Sequence, residues 1–430
     1  MDKTPELRRE LGLFDSISIV LGIVIGAGIF LVPSLIAQSI NSGGWILTAW
    51  IVTGVLSFFG ALAFAELGAM FPATGGQYVY LREAWGHLPA FLCGWTHFLI
   101  SQSASVAYLS VSFAIYLSYF VRLGPWQAKG VALGIIAILT MVNYRGVRLG
   151  AWVQNFCTLA KIAGLAVIVI SAFFVPRVPS TTAFGHVSVS AFGVAMIACL
   201  LAYDGWSAVS FVAGEVKNPE QTLLRALSIG MLLAIFVYVM VNLTYLKVLT
   251  IPEIAAADRV GALTAERTLG SAGATLVSIT ILLSIAGALN GRVLTQPRVY
   301  FAQARDGLFF RRFATVHPRY GTPSFSILMQ GVWSAVLVVS GSFEVLIDYR
   351  IFGIWMLNVI TVAGIIELRR KRPDLPRPYR MWGYPFTPLA FIAVGSAFMI
   401  NTLIQRPGTS LIGLAIMAAG IPVYYLWRRR

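Results

Sequence analysis

Two ionisable residues and one glycine-rich stretch carry the chemistry of this sequence. Lys161, in CTLAKIAGL, and Asp204, in LAYDGWSAVSF, each stand inside an otherwise apolar run. A charge at mid-membrane depth is expensive unless carbonyls or an opposite charge receive it, so each is a functional candidate by default. The third feature is GIVIGAGIFLVPS, residues 22–34, with three glycines and a proline where a spanning helix wants neither. Gly22 and Gly26 are spaced for a packing face. Gly28 falls outside that face, and the GxG marks a helix that breaks and frees backbone N–H and C=O groups. Asp204 and Gly205 interrupt a second apolar run in the same way. A half-helix N-terminus receives an anion and the opposing carbonyls receive a cation, so a zwitterion such as an amino acid matches both. On this reading the amides near Ala27, Gly28 and Ile29 take a carboxylate. The carbonyls near Ile23, Val24, Ala202 and Tyr203 take an ammonium, with Gly26 part of the same candidate site. Lys161 then acts as a fixed cation where a coupling sodium ion would otherwise sit, the plainer alternative being a lysine that snorkels to an interface.

These groups need long apolar elements to hold them. Of 430 residues, 58% are hydrophobic and 11% charged, and the mean hydropathy is +0.79. Such a composition belongs in a bilayer. Apolar segments fall at 16–40, 45–70, 89–121, 127–143, 151–174, 190–213, 226–249, 271–302, 324–341, 345–367, 385–404 and 409–427. That makes an all-α integral membrane protein of about twelve helices by span length. Interruptions in the first and sixth positions predict a five-plus-five inverted repeat with the site between them. The expected organisation is a single domain, 1–430, with one repeat over about 15–174, a second over about 188–368, and two extra helices over about 385–428.

The net charge of +15 is scattered between spans and makes no continuous basic face, so nucleic acid is not a partner; lipid is. With both termini inside, inner Lys and Arg, from Lys3 to Arg429 and Arg430, outnumber outer ones by roughly three to one. This orients a multi-pass protein of the plasma (inner) membrane with cytoplasmic termini. MDKTPELRRELGLFDS does not read as a signal peptide, and residues 7–14 suggest a short amphipathic surface helix. The connection 250–269 suggests a surface helix or lid.

Cys93, Cys157 and Cys199 lie in apolar segments without disulfide or metal spacing. Catalytic, nucleotide and metal motifs are absent, so no cofactor and no enzyme activity is expected. Glu66 and Glu215, near inner helix ends, suit either gate ion pairs or simple end charges. Arg292 is unusual at membrane depth and takes no assigned role. His97, the one histidine well inside a span, reads as a hydrogen-bonded packing residue before a proton relay.

GIVIGAGIF, FAELGAMFPATGGQYVYLREAWG over 64–86, YDGW, GEVKNP and RRKRPDLPRPYRMWGYP over 369–385 are similar to motifs of the amino acid, polyamine and organocation transporter superfamily. Within it the sequence resembles the L-type amino acid transporter branch, over nearly the whole chain. The resemblance implies a LeuT-like fold of twelve helices with the first and sixth unwound at mid-membrane. It implies that Lys161 makes transport sodium-independent and that Tyr238, in VYVMVNLTY, cooperates near the substrate carboxylate. Leu201 stands where many animal members carry an aromatic gate, and Asp204 replaces a glycine. Animal members join a glycoprotein through an outer-loop cysteine, and 120–130 has none, so a partnerless, bacterial carrier is expected.

The resulting expectation is sodium-independent transport of neutral, small to medium L-amino acids by alternating access, through exchange or facilitated diffusion. The alternative is proton-coupled symport, with Asp204, Glu66 or Lys161 titrating. A membrane-embedded enzyme would need paired acids or histidines near one face, and none is found. A channel fits poorly with broken helices around one buried lysine.

Overall fold

The computed structural model describes residues 6–178 and 184–428, side chains excepted at 343–349 and 351. Lys3, Arg429 and Arg430, which contribute to the charge asymmetry, lie outside the described residues. Among the described residues ten helices are long and apolar enough to cross a membrane, and the pair Leu13–Val24 and Gly28–Ser39, bent by 41° at the glycine-rich stretch, makes eleven when counted as one span. The shorter apolar helix Ser324–Ser340 occupies the expected ninth position. Among the described residues the only extended pairing is a single bridge between Leu11 and Val216.

Helix starts follow local chemistry. Pro125, Pro219, Pro297 and Pro407 each stand in the first turn of a helix, where the missing N–H has no intrahelical partner to lose. Between spans, small residues let backbones approach, since burial from lipid supplies little hydrophobic force and close packing must do the work. A Cβ on Gly164 would lie 2.2 Å from Thr280 Oγ1, and one on Gly287 2.9 Å from Cys157 Cβ, which seats the fifth span, Val147–Phe174, against the eighth, Ser271–Arg305. Large apolar side chains such as Trp152, Phe156, Phe236 and Ile404 point outward, as a lipid-facing surface requires.

Two local expectations change. Residues 7–14 are not a surface helix: helix begins only at Leu13. The preceding backbone is extended because Glu10 and Leu11 donate to the Glu215 carbonyl, at 2.9 and 3.0 Å, and Lys217 donates to the Leu11 carbonyl at 2.9 Å. The connection 250–269 forms two short helices, Ile251–Ala256 and Val260–Leu269. The third span, His87–Leu117, contains a π-turn at His97–Ser101, a widened coil that recurs at functional sites.

Candidate functional site

The first break lies at residues 25–27. Ile25 leaves helical geometry at φ −77°, ψ 77°, and the Gly26 amide folds back to the Val24 carbonyl at 2.8 Å. The second half-helix starts at Gly28, and among the described residues the amides of Ala27, Gly28 and Ile29 have no backbone acceptor. Three aligned, unpaired donors at a helix N-terminus make an anion receptor.

The carbonyls freed on the other side of the break have partners. Lys161, fully buried on the fifth span, places Nζ 2.7 Å from the Gly22 carbonyl oxygen and 2.7 Å from that of Ile25. Ser284 Oγ on the eighth span also donates to Ile25 O, at 2.8 Å. The lysine is therefore held on carbonyls and is not snorkelling. The first half-helix is further fixed by Gln154 and Thr158 of the fifth span, which both reach Ser18 O.

Helix Val189–Ala202 ends at the second break, and Trp206–Glu215 continues as a tighter 3₁₀ coil. Gly205 makes the turn at φ +112°, and a Cβ there would stand 2.4 Å from Ile23 Cγ2. The two breaks thus touch: Gly205 meets Ile23, and a Cβ on Gly28 would be 3.2 Å from Ala202 Cα. Tyr238, on the seventh span, joins them, its hydroxyl lying 2.7 Å from Val24 O and 2.9 Å from Ala202 O. A hydroxyl has one hydrogen, so it serves one of these carbonyls at a time. Around it Tyr203 and Trp50 pack as an aromatic cluster, with centroids 4.9 and 5.0 Å from the Tyr238 ring.

Ile23, Val24, Gly28, Ile29, Ala202, Tyr203 and Tyr238 therefore converge, with Lys161 behind them. Gly22 does pack, since a Cβ would meet Gln154 and Thr158, but Gly26 does not: its nearest neighbour would be Ile23 O at 3.8 Å. Gly26 is a bend and not half of a packing pair. Leu201 stands apart from the convergence, with 41% of its surface exposed.

Asp204 has its own company. Its Oδ2 accepts from Arg350 Nη2 at 2.6 Å and from Arg292 Nη2 at 3.4 Å. From Arg292 a chain of bonds runs away from the break. Arg292 Nη1 donates to Gln102 Oε1 at 2.8 Å, which turns the Gln102 amide nitrogen toward His97 Nδ1 at 3.1 Å. Nδ1 must accept, so His97 donates through Nε2 to Gln77 Oε1 at 3.1 Å, and Gln77 donates onward to Asn358 and Thr361. His97 is a buried, hydrogen-bonded residue of the π-turn, as the sequence predicts.

Glu66 and Glu215 form ion pairs toward the end of the bundle that carries the N-terminal segment. Glu215 and Arg298, both fully buried, form a two-pronged pair at 2.6 and 2.9 Å. Glu66 holds Arg369 at 3.0 and 2.7 Å and the Met381 amide at 2.6 Å. An apolar recess of about 410 Å³, lined by Leu47, Phe173, Met240 and Leu243, shares no residue with either break. Sequence reasoning missed Ser284, Trp50, Gln102 and Arg350. Only Arg350, a cation at a span edge, carried a signal that could have found it.

A bundle whose first and sixth helices stop and restart against one another matches the architecture of a membrane carrier. The family model for amino acid permeases matches residues 11–425, and the chain belongs to that family. It is 33% identical over 429 residues to the serine/threonine exchanger SteT of Bacillus subtilis, covering 99% of this chain and 98% of that one. Human b(0,+)-type amino acid transporter 1 is 32% identical, with 99% and 89% covered, and the human cystine/glutamate transporter 31%, with 98% and 86% covered. The protein is an amino acid carrier of many membrane spans, similar to L-type transporters, and not an enzyme.

Proposed function

We propose that this protein carries neutral, small to medium L-amino acids across the plasma membrane without sodium, by exchange or facilitated diffusion. The observation that carries the reading is Lys161, whose ammonium already occupies the carbonyls of Gly22 and Ile25 where a coupling cation would bind. The substrate carboxylate sits on the amides of Ala27, Gly28 and Ile29. Its ammonium sits on carbonyls among Ile23, Val24, Ala202 and Tyr203, with Tyr238 adjusting its single hydrogen to suit. Gly26 gives the bend, and Asp204 borders the substrate side chain, whereas Leu201, expected there from the sequence, faces away. The likeness to a serine/threonine exchanger favours small polar substrates and exchange. Two inverted repeats, about 15–174 and 188–368, supply the rocking motion, both termini face the cytoplasm, and no disulfide-linked partner is required.

Proton-coupled symport is the second reading, favoured by Asp204, a carboxylate set beside the second break. Reconstitution decides between them. Labelled amino acids are presented to proteoliposomes in sodium-free buffer, with the lumen empty or loaded with unlabelled amino acid. Stimulation by internal amino acid is the expected result. Uptake into empty vesicles only under an inward proton gradient would replace exchange with symport.

A further inference from the structure

At the end of the bundle that carries the N-terminal segment, four arginines from three separate segments converge on one open cavity of about 490 Å³. Arg8 comes from the extended N-terminal segment, Arg145 and Arg148 from the turn between the fourth and fifth spans, and Arg319 from the connection before Ser324–Ser340. Glu10 is the one acid in the lining. Among the described residues, no carboxylate approaches any of the four guanidiniums as an ion pair; Arg8 donates to the Arg319 carbonyl at 3.3 Å, and Arg319 lies over the Tyr320 ring. Charge asymmetry between membrane faces needs only scattered cations. It does not require four unpaired ones around a single hollow.

The wall of the cavity continues into lipid. Leu149 and Trp152 line it, and Phe156 and Leu159 follow on the same face of the fifth span, at spacings of three and four residues. These four side chains are between 42% and 67% exposed, and the Trp152 and Phe156 rings stack 6.3 Å apart. An anionic group at the depth of span ends, with an apolar track leading into the bilayer, is the shape of a phospholipid. We propose that this cavity binds the phosphate headgroup of an anionic phospholipid, whose acyl chain lies along Trp152, Phe156 and Leu159. The lipid would tie the N-terminal segment, itself bonded to Glu215, to the two connections that share the cavity with it.

The test is native mass spectrometry of the full-length protein with phosphatidylglycerol or with phosphatidylcholine of the same acyl chains. The wild type retains phosphatidylglycerol preferentially. Since each arginine near a membrane surface contributes about fivefold, R145Q/R148Q lowers that preference by about 30-fold. R311Q/R312Q, an exposed pair on the connection that carries Arg319 but outside the cavity lining, leaves it unchanged. E10Q raises it, which a merely misfolded variant would not do. The inference fails if R145Q/R148Q retains phosphatidylglycerol like the wild type, or if E10Q has no effect. It also fails if inorganic phosphate strips the lipid completely, since the occupant would then be the free anion.

Discussion

The two breaks perform the same backbone operation and are completed by opposite means. At the first, freed carbonyls are met by neutral hydroxyls and one lysine, and freed amides are left open. At the second, a carboxylate is set beside the turn and held by two arginines from distant spans. The first break thus leaves backbone donors open, while at the second the carboxylate is already paired from within, one negative charge between two guanidiniums. Function concentrates where backbone groups lack partners, and control where side chains supply them.

Substitutions sharpen the contrast. Lys161→Ala strands the buried Gly22 carbonyl and leaves Ile25 O to Ser284 alone, which at about 1–3 kcal/mol slows labelled exchange by about tenfold or more; uptake at the wild-type rate would remove Lys161 from the mechanism. Gly205→Ala meets both a left-handed φ and Ile23, so its melting temperature drops by the equivalent of about 1–3 kcal/mol, while Gly26→Ala, with open space around it, melts like the wild type. Asp204→Asn leaves two guanidiniums without counter-charge and lowers uptake by about tenfold. Adding Arg350→Gln restores much of it if the trio is internal compensation; a double variant no better than the single would mean that Asp204 acts on the solute. Tyr238→Phe raises KM for uptake by about fivefold at unchanged expression, the worth of one hydrogen bond to a backbone carbonyl.

The smallest effect lies outside the spans. The Arg267 guanidinium, with the Thr250 amide and hydroxyl, pulls the Glu253 carboxyl from its ordinary 4.5 down to about 2. A depressed carboxyl adds stability above its ordinary range and loses it as pH falls toward the folded value. Melting temperature should therefore decline slightly more between pH 4.5 and about 2 in the wild type than in Glu253→Gln. Identical slopes would show the pair to be inert, as exposed pairs often are.

Much of the first break was legible in the sequence because its signals are local. Glycine spacing marks the break, a lysine in an apolar run demands receiving carbonyls, and the wide apolar segments give the spans directly. The second break was legible as a place but not as a set of partners. Arg350 lies 146 residues from Asp204 and Gln102 lies 190 from Arg292, and no periodicity connects them. Gly26 misled because a four-residue spacing on a straight helix predicts a shared face, and the helix ends between the two glycines. Residues 7–14 misled because helical periodicity says nothing about a strand-like partner at Val216.

Tyr238 offers one hydrogen where two carbonyls wait. An ammonium brings three, enough to hold both and leave one over. The Gly26 amide already satisfies Val24 O, so an empty site strands no oxygen; what it lacks is a donor that reaches Val24 O and Ala202 O together and joins the two half-helices directly. On the exchange reading, the solute supplies that joint each time the bundle closes, and the one-for-one count of the carrier follows from the hydrogen that a phenol does not have.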